Sequence, residues 1–164
     1  MELFQELMEQ AKKNINIADH MLSITYPLVK DTKLLLAIIE NIFLAYTNAM
    51  SAILFQDRIL KKIPPFKDTF ESKFNIFRQK YIDRYKIDRN HVIEMQNLKE
   101  IIIEHKKSPV EFVRKDRFVI CSNTYKLKTI NLDAIKGYLN KAKLFIGEAT
   151  NILSKNEGLF RESR

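Results

Sequence analysis

The chain has 164 residues, 46% of them apolar and 29% charged, with a net charge of +8, the balance of one globular domain rather than of a disordered chain. Only three glycines are present, all beyond position 136, which excludes a glycine-rich phosphate loop and a fold of tight β turns, since both need residues free to take positive φ. A single cysteine, Cys121, excludes an internal disulfide and a cysteine zinc cage and points to a reducing, cytoplasmic setting.

The first residues, Met1 to Glu6, lack the basic start and apolar core of a secretory signal. Leu3, Leu7, Ala11, Ile15, Ala18, Leu22 and Thr25 recur at three- and four-residue intervals, which predicts a helix over 2–25, ended by Pro27. Asp31 or Thr32 can cap a second helix over 32–61. From Leu34 to Phe55, 17 of 22 residues are apolar, which is about the length that crosses a bilayer. Glu40, Asn41, Thr47, Asn48 and Ser51 interrupt this stretch at helical spacing, so a buried central helix with one narrow polar stripe is expected, not a membrane span.

Pro64-Pro65 forces a break. Phe66, Phe70, Phe74, Phe77, Tyr81 and Tyr85 then step by threes and fours along a helix over 66–86, an aromatic ladder suited to the core. Asp88 or Asn90 can cap a fourth helix over 89–107, closed by Pro109. The stretch 110–130 changes character: a charged turn at 114–117 separates the apolar pair Phe112-Val113 from the apolar triplet Phe118–Ile120, and Tyr125–Thr129 alternates strictly. This predicts a small β-hairpin or three-stranded flap, with an extended loop laid on the bundle as the alternative. Asn131 caps a last helix over 132–153, and residues 159–164 form a flexible tail. The expected fold is mainly α: an up-and-down helical bundle of about five helices with a small β insertion at 110–130, one domain over 1–158. Apolar seams such as that of 132–153 suit a homodimer.

The positive charge is uneven. Residues 59–90 hold nine Lys or Arg against four Asp or Glu, and residues 111–130 hold five against two. Such a field attracts phosphate, which makes RNA or DNA the expected ligand. Lys73, Arg78, Lys80, Lys86, Arg89, Arg114, Lys115 and Arg117 are the expected nucleic-acid contacts, gathered into one water-facing patch. His20, His91 and His105 have no second histidine or cysteine at ligand spacing, and Cys121 reads as an incidental thiol, so no metal and no cofactor are expected.

One constellation has residue types that carry chemistry. Arg84-Tyr85-Lys86-Ile87-Asp88-Arg89-Asn90-His91 places an arginine before a histidine at a helix start, with six residues between them. In a helical bundle this spacing resembles the HEPN family, whose ribonuclease members pair such motifs from two protomers. The resemblance implies a metal-independent endoribonuclease in which His91 is general acid or base and Arg84 steadies charge on the phosphate. Three functions follow as expectations: a binding or interaction module for an anionic partner, foremost nucleic acid; the HEPN-like endoribonuclease; and a structural homo-oligomer without ligand.

Overall fold

The computed structural model describes residues 2–107, 111–114, 117–121 and 127–162, with side chains over 2–106 and 130–158. Five helices and one small sheet are present among them. Helix α1 covers residues 3–29 as Leu3–His20, a π turn at Met21–Thr25 and a last turn at Tyr26–Val29. Helix α2 is Lys33–Ile59. Helix α3 covers residues 70–85 as Phe70–Ile76, a second π turn at Phe77–Tyr81 and Ile82–Tyr85. Helix α4 is Arg89–Lys107 and α5 is Leu132–Glu162. Between the last two lies an antiparallel meander of β1 (Glu111–Arg114), β2 (Arg117–Cys121) and β3 (Leu127–Asn131). The bundle with a β insertion is therefore observed, and the insertion is three-stranded.

Pro27 does not end α1. The widened π turn just before it takes up the proline, with the Tyr26 N–H reaching Met21 O, and the helix stops four residues later than expected, at a left-handed Lys30. Helix α3 starts at residue 70 rather than 66, because the Thr69 hydroxyl accepts the Ser72 N–H and so fixes the first turn. Asn131 caps α5 as its sequence suggests, its Oδ1 accepting the Ala134 N–H at 2.8 Å. Helix α5 continues past 153 to Glu162, and residues 163 and 164 lie outside the described residues.

Helix α2 is the axis of the bundle. Nine consecutive residues, from Ala49 to Asp57, are buried, so its C-terminal half is covered all round. Its polar stripe turns to α1, where the Asn48 amide donates to Asn14 Oδ1 at 3.0 Å and Asn14 donates to Asn41 Oδ1 at 3.3 Å. The Gln5–Glu157 bond and the Lys143–Asp19 ion pair run α1 antiparallel to α5, and the Lys141–Glu94 pair together with His91–Glu148 runs α4 antiparallel to α5.

Helix α3 departs from simple alternation. The Phe70 ring packs on Phe43, whereas Arg84 and Tyr85 reach Asp57, so α3 climbs in the same direction as α2. The connection over 60–69, stiffened by Pro64-Pro65, is long enough to lead the chain back down beside α2 instead of closing a hairpin. The aromatic ladder lies in the core as expected: Phe70 stacks on Phe74, and Phe77, Tyr81 and Tyr85 stack in series. One consequence places the site. The C-terminal ends of α2 and α3 and the last turns of α5 meet at the same end of the bundle, around Asp57.

Candidate nucleic-acid interface and the Asp57 centre

Asp57 stands in the last turn of α2 with no solvent exposure at all. Its charge is met from three sides. The Tyr85 hydroxyl donates to Oδ1 at 2.7 Å and to Oδ2 at 2.9 Å, Arg84 Nη1 lies 3.3 Å from Oδ2, and the Asn156 amide lies 3.5 Å from Oδ1. Asn156 also donates to Gln56 Oε1 and to the Tyr85 oxygen, and Gln56 donates to the Leu153 carbonyl. A buried charge survives only when it is paired and hydrogen-bonded, and this network does both. The Tyr81 hydroxyl is buried beside the same carboxylate outside hydrogen-bonding geometry.

The network holds its phenols protonated. Burial and the hydrogen bond to Asp57 push Tyr85 up to about 12. Burial and the Asp57 charge raise Tyr81, and burial with the charges of Glu94 and Glu148 raises Tyr46. A phenol whose folded pKa exceeds its unfolded value of about 10 stabilises the fold fully below that pH and loses the contribution as pH climbs through the folded value. For Tyr85 the loss falls between its ordinary value of 10.0 and about 12. Alkaline titration, followed by tyrosinate absorbance and helical circular dichroism together, is expected to show Tyr46, Tyr81 and Tyr85 ionising only as the helix signal falls. Six tyrosines titrating near pH 10 with the helix signal intact would remove this account.

The structure gives Arg84 and His91 different neighbours. The Arg84 side chain, 35% exposed, is tied to Asp57 and lies over the Tyr81 ring. His91 is 4% exposed; its Nδ1 lies 3.3 Å from the Tyr46 hydroxyl, its Nε2 lies 3.5 Å from Glu148, and its ring packs on Phe145. Nothing among the described residues brings the two side chains to a shared partner within one chain. Between them the left-handed Lys86 ends α3 and redirects the backbone into α4.

The expected nucleic-acid contacts separate into groups. Lys73 is neutralised by Asp68 at 2.8 Å. Arg78 bonds to Asn75 and is exposed; Lys80, Lys86 and Arg89 are exposed and have no ion-pair partner among the described residues. Arg114 and Arg117 are paired across β1 and β2, and Arg117 also pairs with Asn131 at the root of α5. Lys115 lies outside the described residues. At 1.5 Å per residue, Asn131 lies roughly 37 Å along α5 from Asn156, so the end of β3 and the Asp57 centre stand at opposite ends of α5.

Beside Asp57 the structure adds three cations that the sequence reading did not single out. Arg58, Lys61 and Lys62 line, with Ile63, Pro64 and Pro65, a cleft of about 430 Å³. The Arg58 guanidinium sits 4.5 Å over the Phe55 ring and 4.9 Å over the Phe66 ring, and those rings touch each other. Lys61 has a left-handed backbone, φ 59°, which closes α2. The available signal was the run Lys61-Lys62 before Pro64-Pro65; the Phe66 clamp depends on a fold-back that no local pattern announces. Among the described residues no group of three or more His, Cys, Asp or Glu could hold a metal ion. Comparison of the chain with protein-family models, with curated proteins and with solved structures gives no match in any of the three.

Proposed function

We propose that this chain is a nucleic-acid-binding module that holds the phosphate backbone at the end of the bundle where α2 and α3 terminate. One observation carries the reading: Lys61, Lys62, Lys67, Lys80, Lys86 and Arg89 are exposed on residues 59–90 with no ion-pair partner among the described residues. The strongly buried acid nearby, Asp57, is already satisfied by Arg84, Tyr85 and Asn156. It therefore does not cancel the surface charge. Two of these lysines, Lys61 and Lys86, hold left-handed backbone positions at helix ends. A glycine would occupy such a position with less strain, by about 1 kcal/mol, so the charge is kept there against a backbone preference.

Binding through phosphates releases counterions, and affinity then falls steeply with salt, by about 0.7 in the log–log slope for each phosphate neutralised on a single strand. A labelled single-stranded RNA titrated at several salt concentrations is expected to give a slope near −3, about four phosphates held. An affinity flat between low and physiological salt would remove the reading. The same mixtures, kept in EDTA, read the endoribonuclease alternative. Intact RNA sustains the binding module, and metal-independent cleavage replaces it.

A further inference from the structure

We infer that Arg58 is the phosphate anchor of this interface: the cleft from Arg58 to Pro65 takes one phosphodiester group of the bound strand onto a guanidinium packed over Phe55 and Phe66. The inference rests on the nucleic-acid reading above and names the residue within it that does more than supply charge.

Arg58 differs from the exposed lysines of this end in being held in place, and from Arg84 in having no carboxylate partner among the described residues. Its guanidinium lies over two aromatic rings at once, 4.5 Å and 4.9 Å from their centroids. Phe55 is buried in α2, and Phe66, partly buried, packs against the core. The planar group is thus oriented before any ligand arrives, and the loss of side-chain freedom that binding normally requires has already occurred in folding. Its donors are unused. The Arg58 side chain has no hydrogen-bond or ion-pair partner among the described residues. A guanidinium carries five N–H donors in a fork that matches two oxygens of one phosphate. A lysine offers only a point charge.

The surroundings favour an anion. The cleft is lined by Arg58, Lys61, Lys62, Ile63, Pro64 and Pro65, without a carboxylate. The C-terminal end of α2 does contribute about half a negative charge from its aligned peptides, but three formal positive charges exceed it. The acid next in sequence, Asp57, is turned inward and is bound by Arg84 and Tyr85. The volume, about 430 Å³, admits a phosphate with part of its sugar. Pro64 and Pro65 give the wall a stiff, donor-free backbone, which leaves the phosphate oxygens to the three side chains.

The test is fluorescence anisotropy with a labelled single-stranded RNA on the wild-type chain and on Arg58→Lys, Arg58→Ala and Lys80→Ala, each checked for helical circular dichroism. Arg58→Ala is expected to weaken binding about tenfold, the worth of a charge-assisted hydrogen-bond pair, and to reduce the salt slope by about 0.7. Arg58→Lys keeps the charge and the stem against the rings, so the slope stays while the affinity still falls several-fold. Lys80→Ala is expected to weaken binding less than Arg58→Ala. Should Arg58→Lys bind as tightly as the wild type, the fork has no role and the inference is overturned. It is overturned equally if Arg58→Ala binds normally while Lys80→Ala does not; nucleic-acid binding then stands with its anchor elsewhere. A wild-type chain that binds no RNA removes both. If Arg58→Ala fails to fold, the lysine variant decides alone.

Discussion

Arg84→Ala is expected to lose about 3–5 kcal/mol of folding stability, read as a lower denaturant midpoint at unchanged slope. The reason is an asymmetry in the ion pair. Arg84 is 35% exposed on its side chain and Asp57 is not exposed at all. Removing the outer member leaves a carboxylate sealed in the core with Tyr85 and Asn156 as partners and no counter-charge. Removing the inner member leaves an arginine free to turn to water. Asp57→Asn is accordingly expected to cost less, because the amide keeps the volume and its oxygen still accepts from Tyr85. The double variant should be more stable than Arg84→Ala alone, with a coupling of about 1 kcal/mol or more, as groups in one network show. A loss within about 0.5 kcal/mol, the range of an exposed ion pair, would show that Arg84 is not needed to balance Asp57. It would then be free for work on a substrate, and the endoribonuclease alternative would gain. The loss expected here is at least a fifth of the usual stability of a domain, which is about 5–15 kcal/mol.

Much of the bundle could be read from local chemistry. Spacing marks all five helices, α2 by one polar stripe on an apolar rod and the others by a buried apolar stripe, and α4 matches at both ends, Arg89–Lys107. The polar stripe of α2 was visible at Asn41 and Asn48, and only its partner, Asn14 on α1, needed the structure. Prolines misled where their effect depends on the neighbouring turn. Pro27 reads as a helix end, yet the π turn before it carries the helix on to Val29. No residue type marks a π turn, since it arises from fitting one extra residue between packed contacts. The direction of α3 was hidden for a related reason. Pro64-Pro65 announces a break but not how far the chain travels before Thr69 caps the next helix.

The site was less legible than the fold, because charge counts ignore who sits beside whom. Lys73 counts as one of nine cations, and Asp68 cancels it. The Arg84 to His91 interval spans about two helical turns, which on a continuous helix would put both on one face. The left-handed Lys86 breaks that helix, so Arg84 goes to Asp57 and His91 to Tyr46 and Glu148. Arg58 was missed because its clamp joins Phe55 at the end of α2 to Phe66 beyond the break. In sequence Phe66 is the first rung of the aromatic ladder and Phe55 the end of an apolar run, and only the fold-back of the connection brings the two rings together.

Phe145→Ala is expected to cost about 3–5 kcal/mol, the usual range for an aromatic ring deleted from a packed core. Phe145 is fully buried on α5, and its ring meets Tyr46 of α2 at 5.2 Å, Phe77 of α3 at 5.8 Å and His91 of α4 at 5.1 Å. Four helices thus converge on one ring, and no single neighbour can close the void by moving alone. Relaxation would need coordinated shifts, so the cost should fall in the upper half of that range. The adjacent Leu144 is the control: it is 65% exposed, and Leu144→Ala should stay within about 0.5 kcal/mol. Equal losses at the two positions, measured by urea denaturation, would mean that the convergence on Phe145 is not what holds these helices together. The core and the cationic end can be separated in the same experiment. Asn156 lies about 16 Å further along α5 than Phe145. Under conditions where Phe145→Ala is still folded, RNA affinity and its salt slope should match the wild type, because the cations around Arg58 draw their positions from the ends of α2 and α3, not from the ring at the centre.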